Sequence, residues 1–223
     1  MLEVALAAGV GIAQGLRHAL EPDHVTALAT VVVGRQKLKK TLAYAAAWGI
    51  GHGLVLVVFG GVLIALGKVL PERVADGLEL LVAVMLVVLG VRAFRGAKAH
   101  VHDHHTHERA SEPGPDGHVH APKLARPAPP LLVGCVHGLA GTGAIVAVAL
   151  AGASSRAASI AGIALYASGA ALGMVLLAGV AGPAIAQAAK RPAVILGLAR
   201  FAGAASVVLG FVWGAKAIVA IAG

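Results

Sequence analysis

Six apolar runs dominate this chain, at about 2–34, 41–67, 72–95, 130–152, 157–182 and 193–220. Each is long enough to cross a bilayer as a helix, which takes roughly 20 residues. In lipid every backbone amide must be satisfied within its own segment or in a closed barrel, so runs of this length predict helices. Only 13% of the residues are charged, where a soluble domain carries about 25%. The expected fold class is therefore all-α, an integral membrane protein of six transmembrane helices. The first run starts without a basic region and carries Glu3, so it reads as a retained span rather than a cleaved signal. The sole cysteine, Cys135, excludes an internal disulfide and paired-thiol redox chemistry. The net charge of +8 resides mainly at helix ends, where it orients a membrane protein, so nucleic acid is not expected as a partner.

Residues 96–129 form the one long polar connection and divide the chain into units 1–95 and 130–223. The segment is rich in Pro, Gly, Asp, Glu and His and lacks helical periodicity, so it is expected to lack order without metal. Arg35, Lys37, Lys39 and Lys40, then Arg92, Arg95, Lys98, Arg109, Lys123 and Arg126, then Lys190 and Arg191 all fall on one side of the six-span layout. The opposite side holds Lys68, Arg73, Arg156 and Lys216. The positive-inside rule places the long connection in the cytoplasm and both termini outside, in the inner or plasma membrane.

The two units resemble each other. Val87-Val88-Leu89-Gly90 recurs as Val207-Val208-Leu209-Gly210, a shift of 120 residues. The same shift pairs Gly49 and Gly53 with Gly169 and Gly173, and Gly77 with Gly197. A shift of 119 pairs Gly15 and His18 with Gly134 and His137. Three spans per unit force opposite insertion, which gives two inverted three-helix repeats, with a site expected near the midplane. Chance similarity among Gly/Val/Leu-rich helices is the competing explanation.

Eleven histidines sharpen this frame. Seven lie in the connection: His100, His102, His104, His105, His107, His118 and His120. That spacing suits flexible chelation of transition metals without selecting one. The other four, His18, His24, His52 and His137, interrupt apolar spans. Ionisable groups there are costly and mark ion or substrate pathways. Around the first two runs Gly15-Leu16-Arg17-His18-Ala19-Leu20-Glu21-Pro22-Asp23-His24. Pro22 cannot donate a backbone hydrogen bond and disfavours helix at Glu21, so a break is expected near 19–22, with a second half-helix starting at Pro22. On an unbroken helix His18, Asp23 and His24 would point to different faces; the break lets them converge. Arg17 is expected to pair with Glu21 or Asp23. Two imidazoles and a carboxylate offer N and O ligands for Ni²⁺, Co²⁺ or Zn²⁺. A helix junction capped by an Arg–carboxylate cluster is the plainer alternative.

His52 is flanked by Gly51 and Gly53, and His137 is followed by Gly138, Gly141 and Gly143. These glycines can unwind the second unit's first helix, giving a broken first helix in each half, or form a packing seam. His52 can bind metal or orient a ligand. Cys135, two residues from His137, is more simply a small apolar residue.

Residues 17–24 resemble the Arg-His-Ala-x-x-x-Asp-His signature of nickel/cobalt transporters, and Gly51-His52-Gly53 is similar to that family's Gly-His-Ser segment. The resemblance implies His18, Asp23, His24 and His52 as functional positions. The chain departs from the eight-span members in its six runs, in lacking their Asp-Thr-Ala-Thr-Glu segment, and in Gly53 where they carry Ser. The six runs and Cys135-Val136-His137-Gly138-Leu139-Ala140-Gly141-Thr142-Gly143 are closer to the related UreH-type and NicO-type branch.

Together these features lead us to expect a secondary transporter of Ni²⁺ and/or Co²⁺ working by alternating access, with His18, Asp23, His24, His52 and His137 as the metal set. The ion is cargo; no cofactor and no enzymatic activity are expected, and no nucleotide-binding loop of the Gly-x-x-x-x-Gly-Lys-Ser/Thr type occurs. The expected partners are the ions, the bilayer and a cytoplasmic metallochaperone. Two alternatives stand beside this reading. One is a non-transporting receptor that hands metal to urease or hydrogenase maturation. The other is an exporter of a small anion anchored by Arg17. Direction of transport stays open.

Overall fold

A computed structural model of the protein describes residues 2–32, 38–102, 129–152, 154–188 and 190–223. Seven helices make up the described residues, and no strand occurs among them. They are α1 (Leu2–His18), α2 (Pro22–Val32), α3 (Leu38–Leu66), α4 (Glu72–His102), α5 (Pro130–Gly152), α6 (Arg156–Ala188) and α7 (Pro192–Ala222). Five of these, α3 to α7, are long and apolar enough to cross a membrane. At 17 and 11 residues, α1 and α2 divide the first apolar run between them.

The division falls where Pro22 dictates. The last turn of α1 tightens through Leu20 N–H donating to Arg17 O and Glu21 N–H donating to His18 O. Pro22, with no N–H to offer, then opens α2, and Val25 N–H donates to Glu21 O. Two sequence expectations fail at other helices. α5 runs without interruption through Gly138, Gly141 and Gly143, so the first helix of the second unit is not broken. No proline removes a hydrogen bond there, and Thr142 Oγ1 donates to Gly138 O within the helix. α4 continues to His102, past the expected end at 95, because Ala97, Lys98 and Ala99 are good helix formers. Of the long connection, residues 103–128 lie outside the described residues, and with them His104, His105, His107, His118 and His120.

α4 packs mainly on α7, α3 on α5 and α6, and α1 on α6, while α2 sits against α7, α4 and α6. The principal core cluster joins Ala27, Leu28, Tyr44, Trp48, Leu86, Val133 and Met174. The outer surface is the reverse of a soluble protein's: Val180 is 78% exposed, Phe201 75% and Val219 72%. Apolar side chains facing outward along such helices are what lipid favours and water penalises, which is compatible with an integral membrane protein.

The close contacts between helices come in corresponding pairs. A Cβ on Gly90 would meet Gly203 O and Val207 N; a Cβ on Gly210 would meet Ala83 O and Val87 N. The second contact is the first with partners exchanged at the 120-residue shift. Gly15 lies against Tyr166 O and Ala170 N, and Gly134 lies against Trp48 O and His52 N. Gly169 abuts Ile12 O, as Gly51 abuts Leu131 O. For the second spans these contacts pair Gly51 with Gly169, 118 residues apart (169 − 51), rather than Gly49 with Gly169. Gly49 instead faces Ala171 and Gly53 faces Ala167, which is again one contact with its partners exchanged.

Candidate metal centre

Four helices bring five predicted residues into one buried cluster. The last turn of α1 supplies His18, the first turn of α2 supplies Asp23 and His24, α3 supplies His52, and α5 supplies His137. The α1–α2 break does what the sequence required. His18 and His24, six residues apart and on different faces of any continuous helix, have ring centroids 4.4 Å apart. His52 completes a triangle, 5.3 Å from His18 and 5.2 Å from His24. His137 stacks on His24 with centroids 4.0 Å apart. His24, His52 and His137 are buried.

Backbone approach makes this possible. Gly134 and Gly138 let α5 lie directly on α3 beside His52; a Cβ at Gly138 would come within 2.6 Å of His52 O. Glycine is required at such crossings because any side chain would hold the helices apart.

Carboxylates tie down one nitrogen of three of the rings. Asp23 Oδ1 lies 3.2 Å from His24 Nδ1 and accepts from the His24 backbone N–H at 2.9 Å. Asp23 Oδ2 lies 2.8 Å from His137 Nε2. Glu21 Oε2 lies 2.9 Å from His18 Nδ1. The opposite nitrogens, His18 Nε2, His24 Nε2 and His137 Nδ1, are buried without a hydrogen-bond partner among the described residues, as are both nitrogens of His52. Buried polar atoms left unpaired are rare and costly. A ring with one nitrogen held by a carboxylate and the other bare is the usual preparation of a histidine for metal. The ligand atoms of His18, His24 and His52 lie within 4.8 Å of one another, and so do those of Asp23, His24 and His137. Such an N-rich set with a carboxylate suits borderline divalent ions such as Ni²⁺, Co²⁺ and Zn²⁺.

Arg17 is placed differently from expectation. It is exposed and forms no ion pair with Glu21 or Asp23 among the described residues; Glu21 bonds His18 instead. The break at 19–21 removes the helical i,i+4 register that would have aligned Arg17 with Glu21. Cys135 is a free thiol that belongs to neither group of ligand atoms. Two aromatic walls were not foreseen: Tyr166 lies 5.4 Å from His18, and Trp48 lies 5.8 Å from His137. These are corresponding contacts too, since Trp48 and Tyr166 occupy matching seats, as do His18 and His137.

Over 170 residues the chain is 32% identical to the urease accessory protein UreH of Bacillus sp. (strain TB-90), covering 74% of this chain and 72% of that protein. No family model matches the chain, and no solved structure matches it.

Proposed function

The chain belongs to the UreH family of urease accessory proteins, and from that premise we propose that it is a secondary transporter carrying Ni²⁺ and/or Co²⁺ through the membrane. The observation that carries this reading is the cluster itself: four histidines from four helices, five of whose ring nitrogens are buried without a hydrogen-bond partner among the described residues, in a protein whose outer surface suits lipid. Urease is a nickel enzyme, so an accessory role fits a Ni²⁺ site. The resemblance of residues 17–24 to the nickel/cobalt transporter signature supports the same reading.

Alternating access is the mechanism that the paired contacts support. Two inverted repeats of three spans, the first span of the leading repeat broken into α1 and α2, would account for each exchanged contact at Gly15 and Gly134, Gly51 and Gly169, and Gly90 and Gly210. In such proteins one half rocks against the other around a midplane site. Here the cluster draws on both halves, since Asp23 of α2 accepts from His137 of α5. Rocking that pair apart would open the site. The histidine-rich connection, on the cytoplasmic side by the charge distribution, then collects or delivers ions and serves as the place where a metallochaperone meets the protein.

The test is the nickel and cobalt content of cells expressing the protein, compared with the His18→Ala variant at equal membrane abundance. A His18-dependent rise is import and a His18-dependent fall is export. No His18-dependent change in either ion would defeat the transport reading and favour a receptor that hands metal on without moving it.

A further inference from the structure

The break between α1 and α2 leaves two charges where lipid cannot serve them. His52 lies halfway along α3 (Leu38–Leu66), and the His18 ring is 5.3 Å from the His52 ring. The end of α1 therefore sits near the middle of the membrane. Arg17 and Glu21 flank His18 there, and both are exposed. Glu21 gives Oε2 to His18 Nδ1, yet 46% of its side chain stays exposed. At half-depth the headgroups are about 15 Å away in either direction, and an ionised side chain facing hydrocarbon there is costly.

The packing of α1 shows which way these charges face. Gly11 seats α1 against Leu165, and Gly15 seats it against Tyr166 O, so this face belongs to α6. A step of two residues turns a helix by about 200°. Gly9, Ala13 and Arg17 consequently point away from α6; all three are exposed, as is Gln14 beside them. A Cβ on Gly9 would meet nothing within 4 Å. The second half does not repeat this surface. The shift of 119 that matches His18 with His137 puts Val133, Val136 and Ala140 at the seats of Gln14, Arg17 and Glu21. The polar stripe is thus a feature of α1 and not of the shared helical plan.

The stripe is complementary to itself. In a dimer whose two-fold axis runs along the membrane normal, the two α1 helices lie side by side in the same direction. Arg17 of each copy then falls about one turn from Glu21 of the other. Gly9 and Ala13, four residues apart, are small enough to let two helices touch, and the Gln14 amide can donate and accept across the seam. A water-filled cleft would answer the charges but gives no reason for Gly9 and Ala13 to share their face.

We propose that two copies of this chain pair along α1, with Arg17 of each bonded to Glu21 of the other. The second copy then reaches the cluster, because its guanidinium holds the carboxylate that orients His18. The pairing rests on the depth of α1 in the membrane and holds whether or not an ion crosses.

The experiment uses the full chain in its membrane, with Cys135 replaced by alanine. Ala13→Cys, treated with a membrane-permeant oxidant, is expected to give a covalent dimer. Phe211→Cys, exposed on α7, is expected to stay monomeric. Copies carrying two different tags are then coexpressed and extracted in mild detergent. Wild-type copies are expected to copurify. Copurification should be lost when both copies carry Arg17→Glu, and likewise when both carry Glu21→Arg. It should return when one copy carries Arg17→Glu and the other Glu21→Arg, since opposite charges meet again only across the seam. That recovery also shows that both variants fold. No cross-link at Ala13, or an equal one at Phe211, would overturn the dimer and leave the stripe to water or to a different protein. A cross-link at Ala13 with no recovery in the mixed pair would overturn the Arg17–Glu21 bond.

Discussion

His52 is fully buried and, among the described residues, finds no hydrogen-bond partner for either ring nitrogen. Leaving a buried polar group unpaired costs about 1–3 kcal/mol, and a bound ion removes that penalty at one nitrogen. Saturating Ni²⁺ should therefore raise the thermal unfolding midpoint of the protein, and His52→Ala should abolish the rise; an equal rise in the variant would place the ion elsewhere. Protons compete with metal for the same lone pairs. Ni²⁺ affinity should therefore fall as pH is lowered, which isothermal titration at several pH values would check; an affinity independent of pH would contradict imidazole ligation. At this scale the sequence was most informative about His18, Asp23 and His24, because charged and imidazole side chains inside an apolar run have few other uses. It misdirected attention to Arg17 because the helical register linking Arg17 to Glu21 is lost at the break, where Glu21 turns to His18. Trp48 and Tyr166 gave no signal, since an aromatic residue in a spanning helix looks the same whether it faces lipid or a site.

Among the helices, the contrast is between Pro22 and the glycines of α5. Pro22 removes a donor and restricts Glu21 amid the polar residues Arg17, Glu21 and Asp23, so the α1–α2 break could be placed from sequence within a residue or two, whereas α6 continues through Pro183. A glycine permits either unwinding or close packing, and only the partner helix decides between them. In α5 it is packing: a Cβ on Gly138 would meet His52 backbone atoms at 2.6 Å, while one on Gly141 would meet nothing within 4 Å. Gly138→Ala should therefore destabilise the protein by about 1–3 kcal/mol through overpacking and impair metal accumulation, because it pushes α5 off the backbone of His52. Gly141→Ala should be neutral, or stabilising by up to about 1 kcal/mol from the better helix propensity of alanine. Thermal unfolding midpoints of the two variants in detergent give the comparison, and equal effects would contradict the packing described here. The second-span pairing illustrates the same limit. Gly49 and Gly169 match as letters, but Gly51 and Gly169 match in what they touch.

For the whole molecule, the proposed alternation of two inverted halves predicts which surfaces face which compartment. With Cys135 first replaced by alanine, a cysteine introduced at Lys68 should react with a membrane-impermeant thiol reagent in intact cells, and one at Lys190 should react only after permeabilisation; the reverse pattern would invert the topology. The claim on which everything else depends is that the ion crosses the membrane through the cluster. Purified protein reconstituted into sealed vesicles and given Ni²⁺ or Co²⁺ outside tests it directly, with His18→Ala as control. His18-dependent entry of either ion into the vesicle lumen is the expected result. Ion bound to the wild-type protein, with none reaching the lumen, would contradict it and leave a membrane receptor in place of a transporter.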